Sequence, residues 1–255
     1  MADESQNRYG ALAARVYHLD KPIGHSFGDV EFYGDVLSAI AGPVFEPAVG
    51  SGRVLIPLLE RGINISGSDP SNEMLDVCRA ECARRGLETT LSVGTFESIP
   101  QDLELSAVII PAGSIQLLTD PVRVQHVFAR VRSALCDGGQ FVFDLDPLST
   151  LAQAEAPARC WTDGADTLTM TSALERTDYA AQTTVSQLRY ELWRNGELQH
   201  TELDRFALRF WGTNEVVLAL EAAGFAHVEL IADYTPGRQV TADTVTTTVI
   251  ATKSL

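Results

Sequence analysis

Between residues 42 and 145, short apolar runs alternate with stripes in which apolar side chains recur every three or four positions. That alternation confines the chain to parallel strands joined by crossover helices, because parallel neighbours need a long connection and a helix supplies one. The pattern predicts strands at 44–48, 64–68, 89–93, 107–110 and 140–145, with helices at 52–60, at 71–85 and after Pro121. Residues 107–110 are apolar without interruption, as expected of a central strand covered on both faces. The helix at 71–85 shows Met74, Leu75, Cys78 and Cys82 on one side, and the helix after Pro121 shows Val124, Val127, Phe128, Val131 and Leu135. The expected fold class is α/β, a doubly wound and mostly parallel seven-stranded sheet whose ligands sit beyond the carboxyl ends of its strands.

Two regions stand outside the repeat. Residues 6–41 read as helical: Tyr9, Leu12, Ala13, Val16 and Tyr17 share a stripe, Pro22, Gly24 and Gly28 interrupt it, and Asp29 caps a second stripe from Phe32 to Ile40. After residue 157 come long Thr- and Val-rich strands at 167–177, 183–194 and 198–211, with a hairpin signal at Asn195-Gly196. A helix at 213–223 and strands at 226–232 and 244–251 return the chain to the main sheet. The expected domains are an N-terminal helical lid at 1–41, a ligand-binding domain at 42–157 and 212–255, and an antiparallel β flap at 158–211.

Composition narrows the partners. The 255 residues carry 34 acidic and 19 basic side chains, a net charge of −15, and the basic ones are scattered rather than clustered. Nucleic acid, whose affinity comes from clustered Lys and Arg on phosphates, is not expected as a ligand. No apolar run reaches the roughly 18 residues that span a bilayer, and the first eight residues are polar where a signal peptide is basic and then apolar, so the expectation is a cytoplasmic protein with no membrane partner. Of the four cysteines, Cys78 and Cys82 share a helix face while Cys136 and Cys160 stand alone, a spacing that suits reduced core thiols and not a structural metal.

The chemistry concentrates at strand ends. Residues 44–54 read Val-Phe-Glu-Pro-Ala-Val-Gly-Ser-Gly-Arg-Val, so Glu46 closes a strand and Gly50 and Gly52 let a ligand approach bare backbone ahead of a helix. Asp69, at the next strand end, stands where a carboxylate accepts both hydroxyls of a ribose. Gly94-Thr95-Phe96-Glu97 and Pro111-Ala112-Gly113-Ser114 end the following strands, and together these residues outline a nucleoside pocket. A nicotinamide fingerprint wants a small residue where Leu55 stands, and its pyrophosphate would meet Glu46.

The segment from Glu46 to Gly52, followed by Asp69 with Met74, Gly94-Thr95-Phe96 and the Pro111 segment, resembles class I S-adenosylmethionine-dependent methyltransferases, which have a Rossmann-like sheet. The resemblance implies S-adenosyl-L-methionine as cofactor. Gly50 and Gly52 would lie against its methionine part, Glu46 would anchor the loop and the ammonium, Asp69 would hold the ribose, and Met74 and Phe96 would flank the adenine. Thr95 stands where many members carry Asp, so the bond to the adenine amino group would weaken or come from Glu97 or a backbone carbonyl.

For the acceptor, Tyr17 and then Tyr9 are the leading catalytic candidates, offering electron-rich faces to a cation and hydroxyls to a nucleophile. His18, His25 and Asp29 in the following loop, and Gln116 and Leu117 beyond the fourth strand, are substrate-side candidates, while Asp144 and Asp146 lack recognisable partners for a metal site. The flap resembles that of small-molecule and amino-sugar N-methyltransferases, and the tyrosine-rich opening with Lys21-Pro22 resembles N-methyltransferases of lincosamide-type antibiotic pathways. The implied function is methylation of an amine nitrogen on a small natural-product precursor. O-methylation, a nicotinamide-dependent oxidoreductase and a cofactor-binding assembly protein without chemistry are the alternatives. A homo-oligomer is expected, with contacts around residues 183–193.

Overall fold

The computed structural model describes residues 7–152 and 157–254. The polar start of the chain, from which a signal peptide was judged absent, lies outside the described residues except for Asn7 and Arg8.

The repeat folds as β1 (Val44–Pro47), α3 (Leu55–Glu60), β2 (Ile65–Asp69), α4 (Asn72–Arg85), β3 (Leu91–Val93), β4 (Leu105–Ile110), α5 (Pro121–Ala134) and β5 (Leu135–Leu145), preceded by α1 (Ala11–Asp20) and α2 (Asp29–Ser38). After the flap, α6 (Thr213–Ala222), β10 (Phe225–Ala232) and β11 (Thr247–Lys253) complete the sheet. Its seven strands run in the order β10-β11-β5-β4-β1-β2-β3, and β11 is antiparallel to both of its neighbours. The strand alternation divides the interior. Val108 and Ile110 of β4 point into a cluster with Phe128 of α5 and Val216 and Leu220 of α6, whereas Ala107 and Ile109 point into another with Leu37, Leu55, Leu75 and Cys78 of α2, α3 and α4. Each buried Leu, Ile or Phe contributes about 1.5–3 kcal/mol.

Local chemistry sets the ends. Ser71 accepts the Met74 N–H and Asp120 that of Val122, capping α4 and α5, and Gly86 stops α4 in the left-handed region. The helix expected from residue 52 starts at Leu55, because Ala48, Gly50 and Gly52 all take positive φ and spend that stretch on a turn. Asp29 is the first helical residue of α2 and not its cap, a place taken by Gly28 at φ +95°.

The flap has four strands where three were expected: β6 (Arg159–Asp163), β7 (Asp166–Asp178), β8 (Thr183–Arg194) and β9 (Glu197–Arg209), paired in that order. β6 is a short edge strand with no alternation to mark it. Asn195 and Gly196, at φ +52° and +79°, turn β8 into β9. The flap's inner face is covered by α1, whose Leu12, Ala13 and Val16 pack on Leu168, Met170 and Tyr190. Glu202 of β9 accepts the Leu12 and Ala13 N–H groups at the start of α1, which has no side-chain cap of its own. Tyr9, expected on the α1 stripe, precedes the helix at φ +46°. That left-handed backbone is held by Asp204, which accepts the Tyr9 N–H, and by Ser71, whose hydroxyl donates to the Tyr9 carbonyl.

Candidate active site

The carboxyl ends of β1, β2 and β4 open under α1 and β9, and two adjoining cavities fill the gap. The first is walled by Tyr9, Tyr17, Lys21, Gly50, Asp69, Met74, Gly113, Leu117 and Asp146, with Phe206 and Leu208 of β9 above. The second continues from Tyr9, Asp69 and Leu117 to Asn7, Ser71, Thr95, Phe96 and Arg123.

Asp69 sits where the two meet. Its Oδ2 accepts the Gly50 N–H and its Oδ1 the Ser71 N–H, each at 2.9 Å, so one carboxylate fixes the glycine turn and the entry to α4. Burial pushes its pKa up while those two bonds oppose the shift. Gly50, at φ +57°, would place a side chain in open space, so it leaves the crevice floor bare. Gly52 does not face the crevice as expected: a Cβ there would come within 2.6 Å of Cys78 Sγ, so its smallness serves packing against α4.

Glu46 is likewise absent from the cavity walls. It is buried, its Oε2 has no hydrogen-bond partner, and burial, reinforced by Asp29 and Asp69, holds its carboxyl well above the usual range although Arg53 opposes this. Pro111 is buried beside the wall that Ala112 and Gly113 form. Met74 belongs to wall and core alike, at 3% exposure, and Phe96 walls the second cavity while packing in the α5 cluster. Thr95 walls that cavity, but its hydroxyl donates to Glu97 at 2.7 Å, and Arg123 donates to the other Glu97 oxygen at 2.6 Å. Both Glu97 oxygens are therefore engaged, which removes it as the simple substitute for an adenine-binding acid.

On the acceptor side, Tyr9 and Tyr17 do come together, their rings perpendicular at 6.3 Å, with Phe206 at 6.3 Å from Tyr9. Burial raises both phenol pKa values, for Tyr17 against the pull of Arg53, so neither ionises at ordinary pH. Leu117 lines both cavities as expected. Gln116 does not: it is fully buried, and its Oε1 accepts the Asp146 N–H at 2.9 Å. His25 is exposed and packs edge-on against Phe27, and His18 is outside the walls as well.

Asp29 is fully buried in an ion pair with Arg53, Nη2 to Oδ2 at 2.5 Å, and so is unavailable to a substrate. Arg53 also donates to the His25 carbonyl at 2.7 Å, tying the loop before α2 to the glycine turn. Arg53 is marked in the sequence only as a charged side chain directly after Gly52, between the glycine turn and the apolar helix α3.

Asp144, expected near a metal if anywhere, is structural. It accepts from Ala112 N at 2.8 Å, Thr248 Oγ1 at 2.8 Å and Tyr234 Oη at 3.1 Å, and burial pushes its pKa up to about 6. A raised folded-state pKa means that the unfolded chain releases this proton first. The contribution is therefore present in full below about pH 4 and lost as pH rises to about 6, about 3 kcal/mol at 1.36 kcal/mol per unit. Denaturant titrations should show wild type losing that much relative to Asp144→Asn between pH 4 and 6, and parallel curves would refute the assignment. Among the described residues, no three His, Cys, Asp or Glu side chains gather as a metal site, and no helix is long and apolar enough to cross a membrane.

Residues 44–139 match the family model of a methyltransferase domain. An uncharacterized methyltransferase of Mycobacterium tuberculosis is 34% identical over 96 residues, which cover 38% of this chain and 37% of that protein. The match thus spans little more than a third of the curated relative. An S-adenosylmethionine-dependent methyltransferase from Clostridium acetobutylicum superposes with a TM-score of 0.75 at 16% identity, covering 95% of this chain and 98% of that one. The sugar N-methyltransferase KedS8 from Streptoalloteichus superposes with the same score, 0.75, at 17% identity over 100% and 99%. At such identities the likeness is one of fold, and it includes the flap.

Proposed function

We propose that this chain is a class I S-adenosylmethionine-dependent methyltransferase that moves a methyl group to an amine nitrogen of a small molecule, a reading supported by its matched domain and its fold. The observation that carries the reading is the continuous crevice across β1, β2 and β4, with Asp69 at its middle and bare Gly50 backbone on its floor. The residues present fit the cofactor. Asp69 keeps lone pairs free for a ribose diol, Phe96 and Thr95 border the space for an adenine, and Gly50 admits the amino-acid tail.

S-adenosylmethionine supplies a methyl on a sulfonium, which an acceptor lone pair displaces in line. The protein's part is to position that lone pair, a contribution of up to about 7–11 kcal/mol in well-oriented systems. Tyr9 and Tyr17 wall the space between the cofactor crevice and Phe206 and Leu208, and their neutral phenols offer ring faces to cationic groups. Tyr17→Phe should keep turnover within about threefold, whereas Tyr17→Ala should lower it about thirtyfold, the equivalent of a desolvated cation–π contact of about 2 kcal/mol. Steady-state kinetics on the two variants separates ring from hydroxyl, and equal losses would assign the effect to the hydroxyl.

The preference for nitrogen draws support from the likeness to a sugar N-methyltransferase and from the net charge of −15, which favours cationic or neutral acceptors. We take the acceptor to be a natural-product precursor, residues 7–41 and 158–211 to cover it, and the enzyme to self-associate through β8. Calorimetry with S-adenosylmethionine and NADH tests the cofactor, and NADH binding without S-adenosylmethionine binding overturns the reading. Methyl transfer to paired amines and hydroxyl compounds tests the acceptor, and exclusive O-methylation would replace the nitrogen assignment.

A further inference from the structure

Asp146 follows β5 at the place where three cavities share a wall: the first cavity, a third lined by Lys21, Phe27, Tyr234 and Arg238, and a fourth lined by Leu148, Trp211, Thr213 and Thr244. Its half-buried carboxylate makes no hydrogen bond or ion pair among the described residues, whereas Asp29, Asp69 and Asp144 are each held by two or more donors, and Glu46, which also has an unpartnered oxygen, lines none of these cavities. It is nevertheless fixed in place. The Asp146 N–H donates to Gln116 Oε1, and Gln116 is fully buried. Gly113, at φ +71°, keeps clear the space in front of the carboxylate, since a Cβ there would stand 3.5 Å from Asp146 Oδ2 and 2.9 Å from Gln116 Oε1.

Resting on the methyltransferase reading above, we propose that Asp146 is the anchor of the acceptor amine and the residue that selects amines over hydroxyl compounds. An unpaired carboxylate in a partly desolvated wall gains from a donor, and a neutral amine supplies an N–H to bond it while keeping its lone pair, the ammonium formed on methylation then being balanced by the carboxylate. A hydroxyl group offers one neutral donor, and its reactive alkoxide would be repelled. Burial raises the Asp146 pKa, while Lys21 opposes the shift. Lys21 itself is pulled down by burial and by Arg53, and its Nζ lies 5.3 Å from the Tyr17 ring centre. The third and fourth cavities share Asp146 but no other lining residue, which gives two substituents of one nitrogen separate room. Gln116 is a positioning residue in this scheme.

The test is calorimetric titration of primary and secondary alkyl amines, each paired with its hydroxyl isostere, into the protein saturated with S-adenosylhomocysteine. The amines should bind at least tenfold more tightly than their isosteres. Asp146→Asn and Asp146→Ser should weaken the amines at least tenfold, with S-adenosylhomocysteine affinity unchanged and the thermal midpoint retained in at least one variant. Amines that bind the variants as they bind wild type, amines no tighter than isosteres, or no amine binding at all would overturn the proposal. A parallel loss of S-adenosylhomocysteine affinity would overturn it too, by moving the carboxylate to the cofactor. Failure of wild type to bind S-adenosylhomocysteine is a different result, and it strikes the methyltransferase reading instead.

Discussion

Arg53→Ala is expected to lower the stability of the fold by about 3–5 kcal/mol, the usual cost of stranding one member of a buried ion pair. Asp29 would keep its place with no exposure, holding bonds from the Phe27 and Val30 N–H groups but no countercharge. Replacing both partners, Asp29→Leu with Arg53→Met, should recover most of the loss, because the desolvation cost leaves with the charges. Urea unfolding of the single and double variants checks this, and a double variant no better than Arg53→Ala would show that the pair itself stabilises the fold. The acid side gives an independent sign. Burial opposes ionisation of Asp29, but the Arg53 bonds win and hold its pKa below the ordinary value. Its stabilising contribution is therefore present above about pH 4 and lost as pH falls further, and Arg53→Ala should remove that dependence.

Asp69→Ala should weaken S-adenosylhomocysteine binding at least a hundredfold. Bonds to a charged acceptor are worth about 1.5–3 kcal/mol each, and here the carboxylate bears on the ligand twice, directly and through the Gly50 turn it holds at 2.9 Å. Asp69→Asn keeps one acceptor oxygen for either Gly50 or Ser71, so it should fall between. Calorimetry on both variants, with thermal midpoints as a control on folding, decides the matter. A loss under threefold would mean that Asp69 bears on the ligand neither directly nor through the turn.

The sheet was legible because each of its helices carries its own apolar stripe, and β4 announces its central place by the unbroken apolar run at 107–110. Gly50 and Asp69 were readable for a similar reason: a turn and a carboxylate at adjacent strand ends have few other uses. What escaped depends on which surface meets which. The stripe of Leu12, Ala13 and Val16 says that α1 is buried, but only the fold shows it buried on Leu168 and Tyr190, far along the chain. Gly50 and Gly52 look alike in sequence and differ through Cys78, which stands behind one of them. Gln116 read as a cavity residue because its neighbour Leu117 is one, yet residues Ser114–Leu117 form a short helical turn in which consecutive side chains point apart. Asp29 and Arg53 are 24 residues apart, and neither residue alone announces a partner.

The Ser71 hydroxyl joins the opening segment to the floor of the crevice. It receives the Met74 N–H at the start of α4, one residue past the backbone that Asp69 steadies, and it donates to the carbonyl of Tyr9. Displacing the opening segment to admit or discharge a ligand must break that link, and doing so loosens the anchorage beneath the nucleoside. On the proposed function, departure of methylated product and exchange of spent cofactor would share an energetic step, and their residence times should lengthen or shorten together.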